Sequence, residues 1–411
     1  MSTRQPPAAT PAIPWAIIVA GSVLIAVTTG IRQSLGLFVR PLAATGLGIA
    51  TVSLALAVGQ FFWGLAQPAF AVLADRIGTY RVIIIGGALL AAGLALTPLV
   101  SSAPGLFATL GVLSAVGAGA ASFAILIGAV ARRVPAQHQS LASGVINSGA
   151  SLGQFIIAPL TQAVTALANW STALWGLAGI AALSTLLAKR AAGGSGAAGD
   201  DSHDAPAAPV LDMLRTAFAD RGYWCLHVSF FACGFHIAFL VTHLPNEVAV
   251  CGLAPSAAGI ALAIIGLLNV VGSISIGWLG ARYRFKLLLA GLYATRVLAI
   301  AVYLAAPKTL LTLYCFSAVL GVTWLATVPS TAGLVGKLFG PRYLSTLFGL
   351  TVVTHQTGAF FGAWLGGVVM ARTGSYHWVW NIDMLLAAIA AISSLPIREA
   401  PVRSPAAAAA Y

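Results

Sequence analysis

Arg32 is a permanently charged side chain inside an apolar stretch that runs from residue 13 to residue 39. A charge placed there costs at least ~2.5 to 3.5 kcal/mol on insertion scales, so it faces a cavity or a partner. A guanidinium in a cavity takes a carboxylate through two parallel hydrogen bonds. His236 occupies the corresponding place in a later apolar stretch, and its imidazole gains or loses a proton near neutrality. Together they would present a positive site whose strength depends on pH. The plainer chemistry for the same residues is an arginine stem reaching to the outer headgroups and a histidine hydrogen-bonded in the packing.

Other polar residues lie at helical spacing in apolar stretches. Asn147, Ser151 and Gln154 share one face, as do Gln60, Trp63, Gly64 and Gln67, and a third stretch carries Thr351, His355 and Gln356. With Gln33, Asn269 and Trp324 these supply the expected substrate-binding set: Arg32, Gln33, His236, Asn147, Gln154, Asn269, Trp324, His355 and Gln356. Interhelical hydrogen bonding would use the same faces equally well. Arg296 and Asp383 stand at compatible depths in two further stretches and are expected to form a structural ion pair, since either charge alone is costly; the alternative is substrate binding by Arg296. Glu247, near the end of a stretch, is either solvated or, with His236, a proton carrier.

Enzymatic chemistry finds no footing. His227, His236 and His243 are not spaced as helical metal ligands, and no phosphate loop, HExxH or nucleophile elbow occurs. No catalytic residue, metal or cofactor is expected, and work would have to come from gradients. Cys225, Cys233, Cys251 and Cys315 lack zinc-type spacing and read as small packing residues.

The elements that must position these residues follow from composition. Of 411 residues, 59% are hydrophobic and 7% charged, far below the roughly 25% of a soluble domain. Twelve apolar spans are expected, at 13–39, 50–73, 82–101, 105–130, 140–165, 170–188, 222–246, 256–280, 286–305, 309–333, 343–371 and 377–395, each long enough to cross the hydrocarbon core. This is an all-α membrane protein. With both termini in the cytoplasm, only Arg40, Lys308 and Arg372 of the loop cations fall outside, which satisfies the positive-inside rule. That asymmetry accounts for the net charge of +12 without nucleic acid as a partner. A bacterial inner membrane is the expected location.

A Gly/Ala/Asp-rich segment from Ala191 to Pro209 cannot bury a core and divides the spans into two sets of six. The expected organisation is a tail at 1–12, a six-helix bundle at 13–190, a linker at 191–221, a second bundle at 222–397 and a tail at 398–411. Within the linker, Val210 to Phe218 alternates apolar and charged residues as a short surface helix would, or as a solvated lead-in to span seven. The halves repeat at an offset of about 205 residues. Gly30, Arg32 and Pro41 match Gly234, His236 and Pro245, Arg76 matches Arg282, and Gly144 and Gly153 match Gly349 and Gly358. Parallel six-helix repeats are a transporter architecture, with the substrate site between the halves near the midplane.

The loop from Ala71 to Arg81, AVLADRIGTYR, resembles the signature that major facilitator superfamily transporters carry between helices two and three. Asp75, Arg76, Gly78 and Arg81 fit it, while Ala71 stands where the pattern has glycine. The resemblance implies the two-bundle, twelve-helix major facilitator fold and a gating role for Asp75, Arg76 and Arg81. Gly30 to Pro41, Thr242 to Pro245 and Phe339 to Gly349 are most similar to the bacterial monocarboxylate and oxalate/formate transporter-like group. That implies uptake of a small, monocarboxylate-like organic anion in symport with a proton, by alternating access. The group's eukaryotic carboxylate carriers have an Asp and Arg pair in span eight where this chain has Asn269 and Ser273, so an anion-binding charge must come from elsewhere. The alternative is a proton-driven exporter of amphipathic compounds, although Ala158 to Gln162 has the proline of the antiporter pattern without its glycines.

Overall fold

The computed structural model describes residues 14–122, 125–126, 136–192, 210–280, 282–340 and 344–402. Among these, nine helices are long and apolar enough to cross a membrane: Trp15–Leu47, Ile49–Ala74, Thr79–Leu99, Gly144–Leu167, Trp170–Ala191, Arg221–Val250, Pro255–Leu279, Phe285–Ala305 and Leu310–Phe339. Ala103–Gly119, Leu344–Thr373 and His377–Ser394 complete spans four, eleven and twelve. The result is an all-helical molecule of twelve spans in two bundles. Side-chain oxygens cap several starts: Ser102 accepts from Gly105, Asn169 from Thr172, Asp220 from Tyr223 and Thr309 from Thr312.

Polarity is distributed as lipid requires. Leu186, Leu311, Ile274 and Ile392 are 65% or more exposed, whereas His236, Asn269, Arg296 and Asp383 are at most 1% exposed. Polar groups turned inward find partners that hydrocarbon cannot offer. The linker segment forms a helix over Val210–Ala219, with Ala217 buried, Arg215 exposed, and the Phe218 carbonyl accepting from the Trp224 indole at 2.8 Å.

The repeat is visible in the packing. A Cβ on Gly153 would strike the Ala26 carbonyl, and a Cβ on Gly358 would strike the Phe231 carbonyl, so spans one and five cross as spans seven and eleven do. Span one is longer than the sequence predicts and reaches Leu47 through 3₁₀ and π-type turns. Span ten differs more. It stops at Thr323 and resumes at Thr327, where a continuous helix was expected.

The halves meet tightly on the side away from the linker. Gly36 of span one lies so close to span seven that a Cβ would overlap the Val241 carbonyl oxygen. Gly259 and Gly266 of span eight abut Pro159, Gln162 and Ser151 of span five, and Gly367 of span eleven abuts Ser53 of span two. At the linker side, the repeat-related Gly144 and Gly349 face open space among the described residues. Among the described residues, the two bundles are in close contact on the side away from the linker, the closed face.

Candidate functional site

Span one places Arg32 against span two. Its Nη1 donates to Gln60 Oε1 at 2.7 Å, and the guanidinium carbon sits 4.1 Å from the centre of the Trp63 ring. Gln60 and Trp63 are three residues apart on one helical face, so one helix supplies both the acceptor and the π-surface. Nε of Arg32 has no hydrogen-bond partner, and among the described residues no carboxylate pairs with this charge. Beside it lies a cavity of about 20 Å³, lined by Gln60 and Ser114 of the first half and by Val241 and Thr242 of the second. That holds a water molecule or so. The half-buried arginine therefore stands at the seam between the halves, with a cation that no carboxylate among the described residues compensates.

The second half is organised otherwise than the sequence predicts. Asp383 does not pair with Arg296. Its Oδ2 lies 2.6 Å from His236 Nδ1, a contact in which the ring N–H donates to the carboxylate. Arg296 instead donates through Nη2 to the carbonyls of Thr323 and Trp324, at 2.6 and 2.7 Å, and through Nη1 to the Cys233 sulfur at 3.5 Å. The broken span ten explains the exchange, because carbonyls freed in an apolar interior draw in the nearest donor. His236 faces Asp383 within its own half and does not line the cavity of Arg32.

The remaining predicted residues fall into separate places. Asn269 donates to Ser151 Oγ of span five at 2.7 Å and accepts from the Leu325 amide at 2.9 Å, so its amide is engaged by protein. Trp324 is fully buried, its ring centre 6.1 Å from that of His236. His355 packs on Phe230 and lies 3.3 Å from Gln356 Nε2, and Gln356 packs against Gly64 of span two. Gln33 and Gln154 are buried with Oε1 and Nε2, respectively, unpartnered, and Asn147 is half-buried. Glu247 is 7% exposed rather than solvated, with the Tyr303 hydroxyl donating to it at 3.5 Å. Arg76 and Arg81 are exposed; the Asp75 side chain lies outside the described residues. Gly78 between them has φ of 90°, a conformation that favours glycine and fits the tight turn of that loop.

A wider recess of about 310 Å³ opens on the closed side between Arg40, Asn246, Val250 and Met370. Asn246 and His243 both reach the Tyr376 hydroxyl, at 2.8 and 3.1 Å. Sequence reasoning did not foresee the partnership of Asp383 with His236 or the role of Tyr303. The spacing of apolar residues carries no information on which buried helices face each other.

Two bundles of six spans, related by an internal repeat and meeting beside a half-buried cation, are the architecture of a membrane transporter. Residues 16–363 match the family model described as Major Facilitator Superfamily, and the chain belongs to that family. It is 26% identical over 368 residues to monocarboxylate transporter 13 of Rattus norvegicus, covering 88% of this chain and 83% of the relative. It is 27% identical over 388 residues to the oxalate:formate antiporter of Oxalobacter formigenes, covering 91% and 88%. Among solved structures, a mutant of the nucleoside transporter NupG aligns with a TM-score of 0.74 at 13% identity, over 94% of this chain and all of that one (100%). A D-xylose-proton symporter aligns with a TM-score of 0.69 at 15% identity, over 95% and 97%. These structures share the fold.

Proposed function

We propose that this protein is a secondary active transporter of a small organic anion of the monocarboxylate class, taken up together with a proton by alternating access. The observation that carries the reading is Arg32, a cation held by Gln60 and Trp63 at the seam of the two halves with no carboxylate among the described residues to offset it. A small carboxylate supplies that missing charge and fits the planar donor fork. The relatives named for monocarboxylates and for oxalate and formate support the same substrate class. With the linker and both termini in the cytoplasm of a bacterial cell, the closed face is the outer one and Arg32 is reached from inside. The proton carrier is drawn from the buried groups of the second half, with His236 and Glu247 as the sequence candidates.

The test is uptake of labelled formate, oxalate, lactate and pyruvate by proteoliposomes under an imposed pH gradient. At least one is expected to accumulate, and Arg32→Gln is expected to weaken its half-saturation by about tenfold or more, as loss of a charge-assisted hydrogen bond does. Arg32→Lys, which keeps the charge but loses the fork, is expected to fall between. Unchanged affinity in folded Arg32→Gln protein would remove the anion site and return the exporter reading.

A further inference from the structure

Among the described residues, His236 and Asp383 form the ion pair that joins two membrane spans in the interior. The imidazole is 1% exposed and the carboxylate fully buried. The contact uses one ring nitrogen and one carboxylate oxygen, leaving His236 Nε2 and Asp383 Oδ1 without a hydrogen-bond partner among the described residues. Nε2 is therefore a free basic lone pair in a site with a built-in counter-charge. When it takes a proton from water, an Nε2–H bond forms, no electrons are transferred, and the pair passes from one net negative charge to none.

The charged and titratable groups around it come from every element packed there. Cys233 lies one turn earlier on span seven, Tyr293 and Arg296 face in from span nine, and His355 from span eleven. Span ten contributes the uncharged Trp324 and Thr327. With the pair unprotonated, its negative charge and the positive charge of Arg296 sum to zero. With the proton bound, this interior carries one positive charge that an anion arriving between the halves offsets, and by linkage each ligand then favours the other.

A second observation ties the pair to the seam. Trp324, beside His236, is the first residue of the break in span ten. The amide of the next residue, Leu325, donates to Asn269, whose own amide donates to Ser151 in the other half. Ser151, Asn269, Leu325, Trp324, His236 and Asp383 thus make a continuous chain of contacts from one bundle into the core of the second. Separating span five from span eight removes the Ser151 bond and loosens the peptide next to Trp324.

We propose that His236 and Asp383 together are the proton-binding site of the protein, separate from Arg32, and that the approach of span five to span eight sets its occupancy through Asn269 and the Trp324 break. This rests on the proton-coupled reading above, and its test uses no substrate, so that it stands or fails apart from the identity of the cargo. The protein, labelled with ¹⁵N-histidine and ¹³C-aspartate, is placed in lipid, and solid-state NMR identifies the imidazole in contact with a carboxylate. As the sample moves from about pH 9 to about pH 5, that imidazole is expected to change from one ring N–H to two. Asp383→Asn is expected to lose the doubly protonated signal over this range, and Asp383→Glu to regain it. Ser151→Ala, which touches neither group, is expected to change the ratio of the two forms at fixed pH by about fivefold, the lower end of measured couplings. A wild-type imidazole that keeps a single N–H throughout overturns the proton site, whether or not the variants fold. An unchanged ratio in Ser151→Ala overturns the link to the seam.

Discussion

Arg296 and Trp324 are joined through the main chain: the guanidinium donates to the Trp324 carbonyl at 2.7 Å, and the same nitrogen takes the Thr323 carbonyl at 2.6 Å. A helix that stops at Thr323 and resumes at Thr327 leaves polar groups that hydrocarbon cannot satisfy. Span nine brings a cation to the freed carbonyls, the negative end of the first half-helix. Span eight brings Asn269 to the Leu325 amide. The arginine acts as a cap on a broken span.

The consequence for Arg296 is a stability effect of a particular kind. Arg296→Gln should lower the thermal midpoint and folded yield, with each charged hydrogen bond contributing about 1.5 to 3 kcal/mol. Arg296→Lys should recover only part, because one ammonium cannot reach both the two carbonyls and the Cys233 sulfur that the guanidinium contacts through separate nitrogens. Combining Arg296→Asp with Asp383→Arg should recover nothing, since Asp383 is bonded to His236. Fluorescence-detected size exclusion on heated samples reads all of these; a swapped protein with wild-type stability would restore the direct ion pair.

Much of this arrangement was written in local sequence, and the break shows where that ends. Span count, the repeat and the Asp75 to Arg81 loop depend on hydropathy and short spacings, and they could be read directly. Span ten carries Pro329, whose ring disfavours helix at the Leu325 carbonyl four residues earlier. Yet Pro68, Pro159 and Pro245 lie inside helices that continue through them. What distinguishes span ten is that Arg296 and Asn269 arrive from other spans to take the freed groups. The same limit applies to Asp383: its depth in the bilayer was legible, but its neighbour was not, because two candidates at similar depth, Arg296 and His236, differ only in which helix face the fold turns toward span twelve.

Gly36 marks the tightest approach described between spans one and seven. Its Cα hydrogen lies against the Val241 carbonyl, and any side chain there forces spans one and seven apart. Gly36→Val should therefore hold the closed side open. In a protein otherwise free of cysteine, Asn246→Cys, on the wall of the recess beside Arg40, should react with an impermeant maleimide about fivefold faster or more when Gly36→Val is present, corresponding to a shift of about 1 kcal/mol between the two states. Equal rates would mean that span seven yields instead and that this contact does not limit opening.

The orientation assigned to the two faces has its own check. Positive charge concentrates on the linker side, so a reporter inserted near Asp200, outside the described residues, should behave as cytoplasmic. Alkaline phosphatase activity from that position would invert the molecule and make the closed face the inner one.

Gln60 and Trp63 bear on the proposed anion site through Arg32. The Gln60 oxygen fixes one guanidinium nitrogen, and the Trp63 face offsets part of the cost of burying the cation. Gln60→Leu keeps the shape but removes the acceptor, so the guanidinium loses a bond of about 1.5 to 3 kcal/mol and turns toward the cavity or the headgroups. Trp63→Leu removes a cation–π contact of about 0.5 to 2 kcal/mol. Both should raise the half-saturation for the transported carboxylate, by roughly tenfold for Gln60→Leu and less for Trp63→Leu, and neither should alter transport of an uncharged analogue if one is carried. Their effects should also disappear in an Arg32→Gln background, because residues that act through one guanidinium have nothing left to position once it is gone. A double-mutant cycle on half-saturation decides the matter: additive losses for Arg32→Gln and Gln60→Leu would place Gln60 in contact with the substrate itself.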